Sequence, residues 1–113
     1  MNLDNKRFIF LENKSGLSSN ETVFHYFQDG ERITGTYKGG AIAEGFIVGK
    51  QTGEHTIELL FQCLTVEREL KAGQSKGVVS VNAQGKLQLN FNFNWNWLTG
   101  DLSSGVSGYV EEG

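Results

Sequence analysis

Six side chains in this 113-residue chain are of types that suit a small-molecule site: Tyr37, Glu44, Trp95, Trp97, Thr99 and Asp101. The indoles and the phenol offer flat apolar walls, each with a polar tip. The carboxylates and the hydroxyl offer the few polar contacts that orient a ligand in an otherwise apolar mouth. A carboxylate set among aromatic rings is also a workable general base. Each residue has an ordinary structural role beside this one. Indoles fill cores, Asp101 after Gly100 bonds its own backbone in a turn, and Glu44 faces water if Gly45 marks a bulge. The other reactive side chains do not assemble. His55 opens its strand at the far rim, His25 reads as structural, and Cys63 lies in the apolar run "LLFQCL" as a buried thiol. No Ser/His/Asp or paired-carboxylate arrangement follows, so no catalytic residue is expected.

The six candidates meet only if strands carry them to one place. The stretch "LQLNFNFNWNW" (87–97) alternates without exception: Leu87, Leu89, Phe91, Phe93, Trp95 and Trp97 on one face, amides on the other. Burying the apolar face contributes roughly 10 kcal/mol or more at about 1.5–3 kcal/mol per large side chain. The reverse setting would expose every ring and bury amides that need partners. The rings therefore point to the core. The outward amides keep an aromatic strand in water, or present a hydrogen-bonding face to a sugar or another subunit.

Similar strand patterns recur along the chain, separated by turn signals. They are "RFIFLE" (7–12), "ETVFHYFQ" (21–28), "ERITGTYK" (31–38), "AIAEGFIVGK" (41–50), "HTIELLFQCLT" (55–65), a sixth from 70 to 81, the 87–97 stretch and "LSSGVSGYVEE" (102–112). Within "VERELKA" one or two helical turns compete with the start of the sixth strand. Asp29-Gly30, Gly39-Gly40 and "NAQG" are hairpin turns. Short connections make an antiparallel meander, and a meander leaves two bare edges unless it closes. The expected fold is all-β: an up-and-down meander closed into a barrel of about eight strands, with a two-sheet sandwich as the alternative. The whole chain, 1–113, reads as a single β-barrel domain.

In such a meander the tight connections "DG", "QTGE" and "NAQG" share one rim. The other rim carries "NKSGLSSN", "GG", "TVERE" and "LTGDLSS", which are mostly longer and richer in hydroxyls and charge. Function is expected on that second rim. Trp95 and Trp97 arrive there from the seventh strand and Tyr37 from the third, with Thr99 and Asp101 following in the loop. Glu44 shares parity with Ile42, Phe46 and Val48, which would aim its carboxylate into the barrel. The first two strands are apolar on both faces, with Ile9 and Leu11 opposing Phe8 and Phe10, and Val23 and Phe27 opposing Phe24 and Tyr26. Either a homodimer forms through their outer face or loop 13–20 packs across it.

Composition excludes several classes. The net charge is −3 with no lysine/arginine run, which speaks against nucleic acid. No apolar stretch spans a bilayer, and the N-terminal residues lack a signal-peptide design, so a cytoplasmic location without membrane partners is expected. The single cysteine allows no internal disulfide, and no spacing suggests a metal or a cofactor.

The stretches "ETVFHYFQDG", "YKGGAIAEGFIVGK" and "WNWLTGDLSSGVSGYVEE" resemble a family of small bacterial proteins of about this length, often labelled N-acetylglutamate synthase, with a compact calycin- or avidin-type barrel. The resemblance is carried by Tyr37, Gly39, Gly40, Ile42 and Gly45, then Trp95, Trp97, Thr99, Gly100, Asp101, Ser104 and Gly105. It implies the barrel, and by its label an acetyltransferase. One departure is the turn before the sixth strand, where the family pattern calls for glycine and this chain has "TVERE". Acetyl transfer from acetyl-CoA calls for a backbone cradle for the pyrophosphate, usually a Gly-rich loop opening a helix, and no segment supplies one. A small-molecule-binding barrel is the leading expectation. The alternatives are a packed interaction barrel working as a homodimer, and the acetyltransferase.

Overall fold

The structure is a computed structural model that describes residues 2–14, 21–95 and 104–112, the side chains of 10–14, 93–95 and 104 excepted. Its strands are β1 (Lys6–Lys14), β2 (Val23–Asp29), β3 (Arg32–Gly39), β4 (Ile42–Gln51), β5 (Thr56–Thr65), β6 (Leu70–Val81), β7 (Leu87–Trp95) and β8 (Ser104–Glu111). Each pairs antiparallel with its sequence neighbours, and β1 pairs with β8, closing the barrel. That last ladder rules out the sandwich, because a sandwich leaves its first and last strands as separate edges. No helix among the described residues is long and apolar enough to cross a membrane.

The "VERELKA" segment makes no helix. Thr65 begins a tight turn: its carbonyl accepts from Arg68 N at 3.0 Å and its Oγ1 from Glu69 N at 3.0 Å. Arg68 takes φ 68°, the left-handed conformation that glycine adopts freely. The turn still delivers β6 in unbroken register, with Leu70 opposite Leu64.

Alternation decides what fills the barrel. Along β3, Ile33, Gly35 and Tyr37 are buried while their neighbours are exposed. On β7, Leu89 and Phe91 are buried and Leu87 packs against the core, the inward setting expected of that strand. Large interior side chains repeatedly lie opposite a glycine on the next strand: Tyr26 opposite Gly35, Tyr37 opposite Gly45, Leu59 opposite Gly49 and Phe91 opposite Gly77. A Cβ at Gly77 would come within 2.5 Å of the Phe91 ring. These glycines are core positions that let a ring lie flat on the neighbouring backbone in a narrow barrel.

One rim is closed by the N-terminal segment. Leu3 is fully buried, its backbone N donates to Gln28 Oε1 at 2.9 Å, and Asp4 Oδ1 accepts from Gln28 N at 3.0 Å. Lys6 Nζ reaches Glu111 Oε2 at 3.1 Å, and the other oxygen of Glu111 accepts from Leu87 N.

Candidate functional site

Tyr37 stands near the upper end of β3, opposite Phe24 on β2 and Gly45 on β4. Its ring stacks on Phe24 at 4.9 Å and 10°, and Phe24 also touches the Tyr109 ring at 4.6 Å. Tyr37 is only 4% exposed. Its hydroxyl is buried and, among the described residues, has no hydrogen-bond partner of sound geometry; it faces the Cys63 thiol of β5, a weak donor. An unsatisfied buried hydroxyl carries a cost of about 1–3 kcal/mol, so a polar atom placed beside it would be held firmly.

Burial sets the protonation states here. Desolvation pushes the Tyr37 and Tyr26 phenols far above their ordinary value near 10 and raises the Cys63 thiol as well. All three stay neutral at physiological pH. The arrangement can donate and accept hydrogen bonds, but it offers neither a thiolate nucleophile nor a group titrating near neutrality.

The sequence placed Glu44 inside the barrel, and the structure does not. The β4–β5 ladder shifts register between Ile42 and Glu44, so Ala43 and Glu44 together occupy the space of a single partner. Ile42 and Ile47 are buried, whereas Phe46 and Val48 are about half exposed and Glu44 is exposed. The bulge reverses parity, putting Glu44 and the two side chains expected beside it on the outer wall. Trp95 is placed by its backbone alone, opposite Gly73 on β6. Trp97, Thr99 and Asp101 lie outside the described residues. Of the six candidates, Tyr37 is the one whose side chain the structure sets in the interior.

Some interior groups escaped the sequence reading. Ser75 and Ser107 are buried on β6 and β8, and Tyr109 is buried between Phe24 and Phe91. Strand parity would have found them: Ser75 shares a face with Gly77 and Val79, and Ser107 with Tyr109. His25 is on the outer face, its Nε2 2.8 Å from Asn5 Oδ1 and its ring against Phe27, which suits a structural histidine. No group of metal-binding side chains occurs among the described residues.

The family model described as avidin-like protein matches residues 1–112. The chain belongs to the avidin-like family. No significant match was found among curated proteins or among solved structures. In this avidin-like barrel the floor is apolar, with Leu3, Ile33 and Ile57 each no more than 1% exposed. The polar interior atoms Tyr37 Oη and Cys63 Sγ lie near the ends of β3 and β5, towards the rim opposite that floor. A closed barrel with an apolar floor and polar groups nearer its mouth is an arrangement suited to one small ligand.

Proposed function

We propose that this avidin-like protein binds a small molecule at the rim opposite Leu3, with the Tyr37 hydroxyl as the buried polar contact. The unpartnered hydroxyl carries the reading: it is an interior hydrogen-bonding group that the described residues do not satisfy. The ligand class follows from the surroundings. An apolar body fits against Phe24 and Tyr109, and one polar atom, a carbonyl or an amide, meets Tyr37. Trp95, Trp97, Thr99 and Asp101 follow β3's upper end in the same rim by strand order and would complete the mouth. Glu44, on the outer wall, is not part of it. A cytoplasmic location and a single 1–113 domain complete the reading.

Acetyl transfer has less support, because the groups around Tyr37 are held neutral and no base is set beside them among the described residues. Titration of tryptophan fluorescence against a metabolite panel that includes acetyl-CoA tests both readings. A saturable response to a small amide- or carbonyl-bearing compound, weakened about ten-fold by Tyr37→Phe, is expected. Silence across the panel would overturn the binding reading, and acetyl-CoA turnover would replace it with the enzymatic one.

A further inference from the structure

The outward face of β7 is the most regular pattern in the sequence, and the interior site makes no use of it. Gln88, Asn90 and Asn92 project from it, roughly 7 Å apart along the strand. On one side β6 sets Ser80 opposite Gln88, Val78 opposite Asn90 and Lys76 opposite Asn92. On the other, β8 sets Val110, Gly108 and Val106 opposite the same residues. Asn92 is exposed, Gln88 and Asn90 are half-buried, and none of these carboxamides is hydrogen-bonded to another described residue.

Solvation alone does not call for these residues. Asparagine is depleted in strands, whereas threonine is favoured there and also meets water. A carboxamide adds a planar pair of groups, an oxygen that accepts and a nitrogen that donates twice. Two adjacent hydroxyls of a sugar ring fit that pair, one donating and one accepting. The valines supply the apolar ground that the C–H face of a ring needs: Val78 is 52% exposed and Val106 41%. Gly108, with no side chain, leaves room beside Asn90. Charge disfavours an ionic partner, because Lys76, the one charge among these residues, lies opposite Glu58 on β5 and the face is close to neutral. We propose that the outer face of β6, β7 and β8 binds an uncharged oligosaccharide, laid along β7 over Gln88, Asn90 and Asn92. Each exposed hydrogen bond contributes little, so affinity comes from several rings held at once, and a single sugar binds weakly.

Co-sedimentation of the full chain with glycogen, cellulose and chitin, all uncharged polysaccharides, tests the proposal. Retention on at least one is expected, competed by its soluble oligosaccharide and unchanged by added salt. Asn90→Thr combined with Asn92→Thr should weaken retention about ten-fold or more, while the denaturation midpoint holds or rises. Asn92→Asp keeps the shape of an exposed side chain but loses its donors, and should weaken retention as well. Tyr37→Phe should be retained as the wild type is, which separates this face from the interior site. No retention on any of these polymers overturns the proposal. So does retention that the double substitution leaves intact, that salt abolishes, or that Tyr37→Phe alone removes.

Discussion

Tyr37 and Gly45 face each other across the β3–β4 ladder, and the phenol ring occupies the space a side chain at position 45 would need. A Cβ there would lie 2.5 Å from Tyr37 Cζ. The glycine and the tyrosine therefore act as one unit. Gly45→Ala is expected to destabilise the barrel by about 1–3 kcal/mol, the usual cost of overpacking, measured by chemical denaturation. In a Tyr37→Leu background the same change should cost much less. Equal costs in both backgrounds would show that the ring is not what the methyl group meets.

Tyr37→Phe separates stability from binding. Removing a buried hydroxyl that lacks a partner leaves the stability of the ligand-free protein unchanged or raises it by up to about 1 kcal/mol. Ligand affinity should fall in the same variant. A loss of stability on denaturation would mean that the hydroxyl is satisfied in the folded protein.

The floor of the barrel depends on a residue near the chain's start. Leu3 is fully buried, and its segment is tied to Gln28 through both backbone and side chain. Leu3→Ala is expected to cost about 2–4 kcal/mol in thermal or chemical unfolding, a core-sized loss from a terminal position. Asn2→Ala, at an exposed neighbour whose Oδ1 accepts from Asp4 N, is the control and should cost no more than ~1 kcal/mol.

Arg68→Gly relieves a left-handed backbone without touching a packed side chain. The gain of about 1–2 kcal/mol from removing Cβ strain is partly offset by the freedom glycine adds to the unfolded chain. A net stabilisation of roughly 0.5 kcal/mol is expected, read as a small rise in denaturation midpoint with the slope unchanged.

Stability should fall at both extremes of pH, for opposite reasons. Burial raises the Tyr26 and Tyr37 phenols above their unfolded value near 10. Their contribution is complete below pH 10 and is lost as pH rises further, because the unfolded chain ionises first. Phenolate absorbance from these tyrosines should therefore develop together with unfolding. The backbone hydrogen bond from Leu87, reinforced by Lys6, lowers the Glu111 carboxyl below its ordinary value of 4.5. Its contribution is present above that value and is lost as pH falls through the lower, folded one. Glu111→Gln should reduce the acid sensitivity by less than about 1 kcal/mol, as befits a partly exposed pair.

Much of the barrel is written in short-range pattern. Alternation over 87–97 sets the direction of Leu89 and Phe91, and Asp29-Gly30 and "NAQG" mark hairpins from composition alone, so the strand spans can be read to within a residue or two. Both signals are local: side-chain period and turn chemistry each involve a few adjacent residues. The Glu44 expectation failed for a reason of the same kind in reverse. A bulge is a mismatch between two strands, and nothing within "AIAEGF" states how many of its residues β5 will accept as partners.

The sequence by itself determined that the chain is a meander of about eight strands with Leu89 and Phe91 of the seventh turned inward, because burying apolar side chains and exposing amides admits one orientation. The tertiary structure decided what depends on register between strands far apart in the chain. It placed Gly45 under Tyr37, left the buried Tyr37 hydroxyl facing only the weak Cys63 thiol among the described residues, set Leu3 in the floor and turned Phe46 and Val48 outward. Each is a meeting of residues brought together by closure, and the energy of a meeting is carried by neither residue alone.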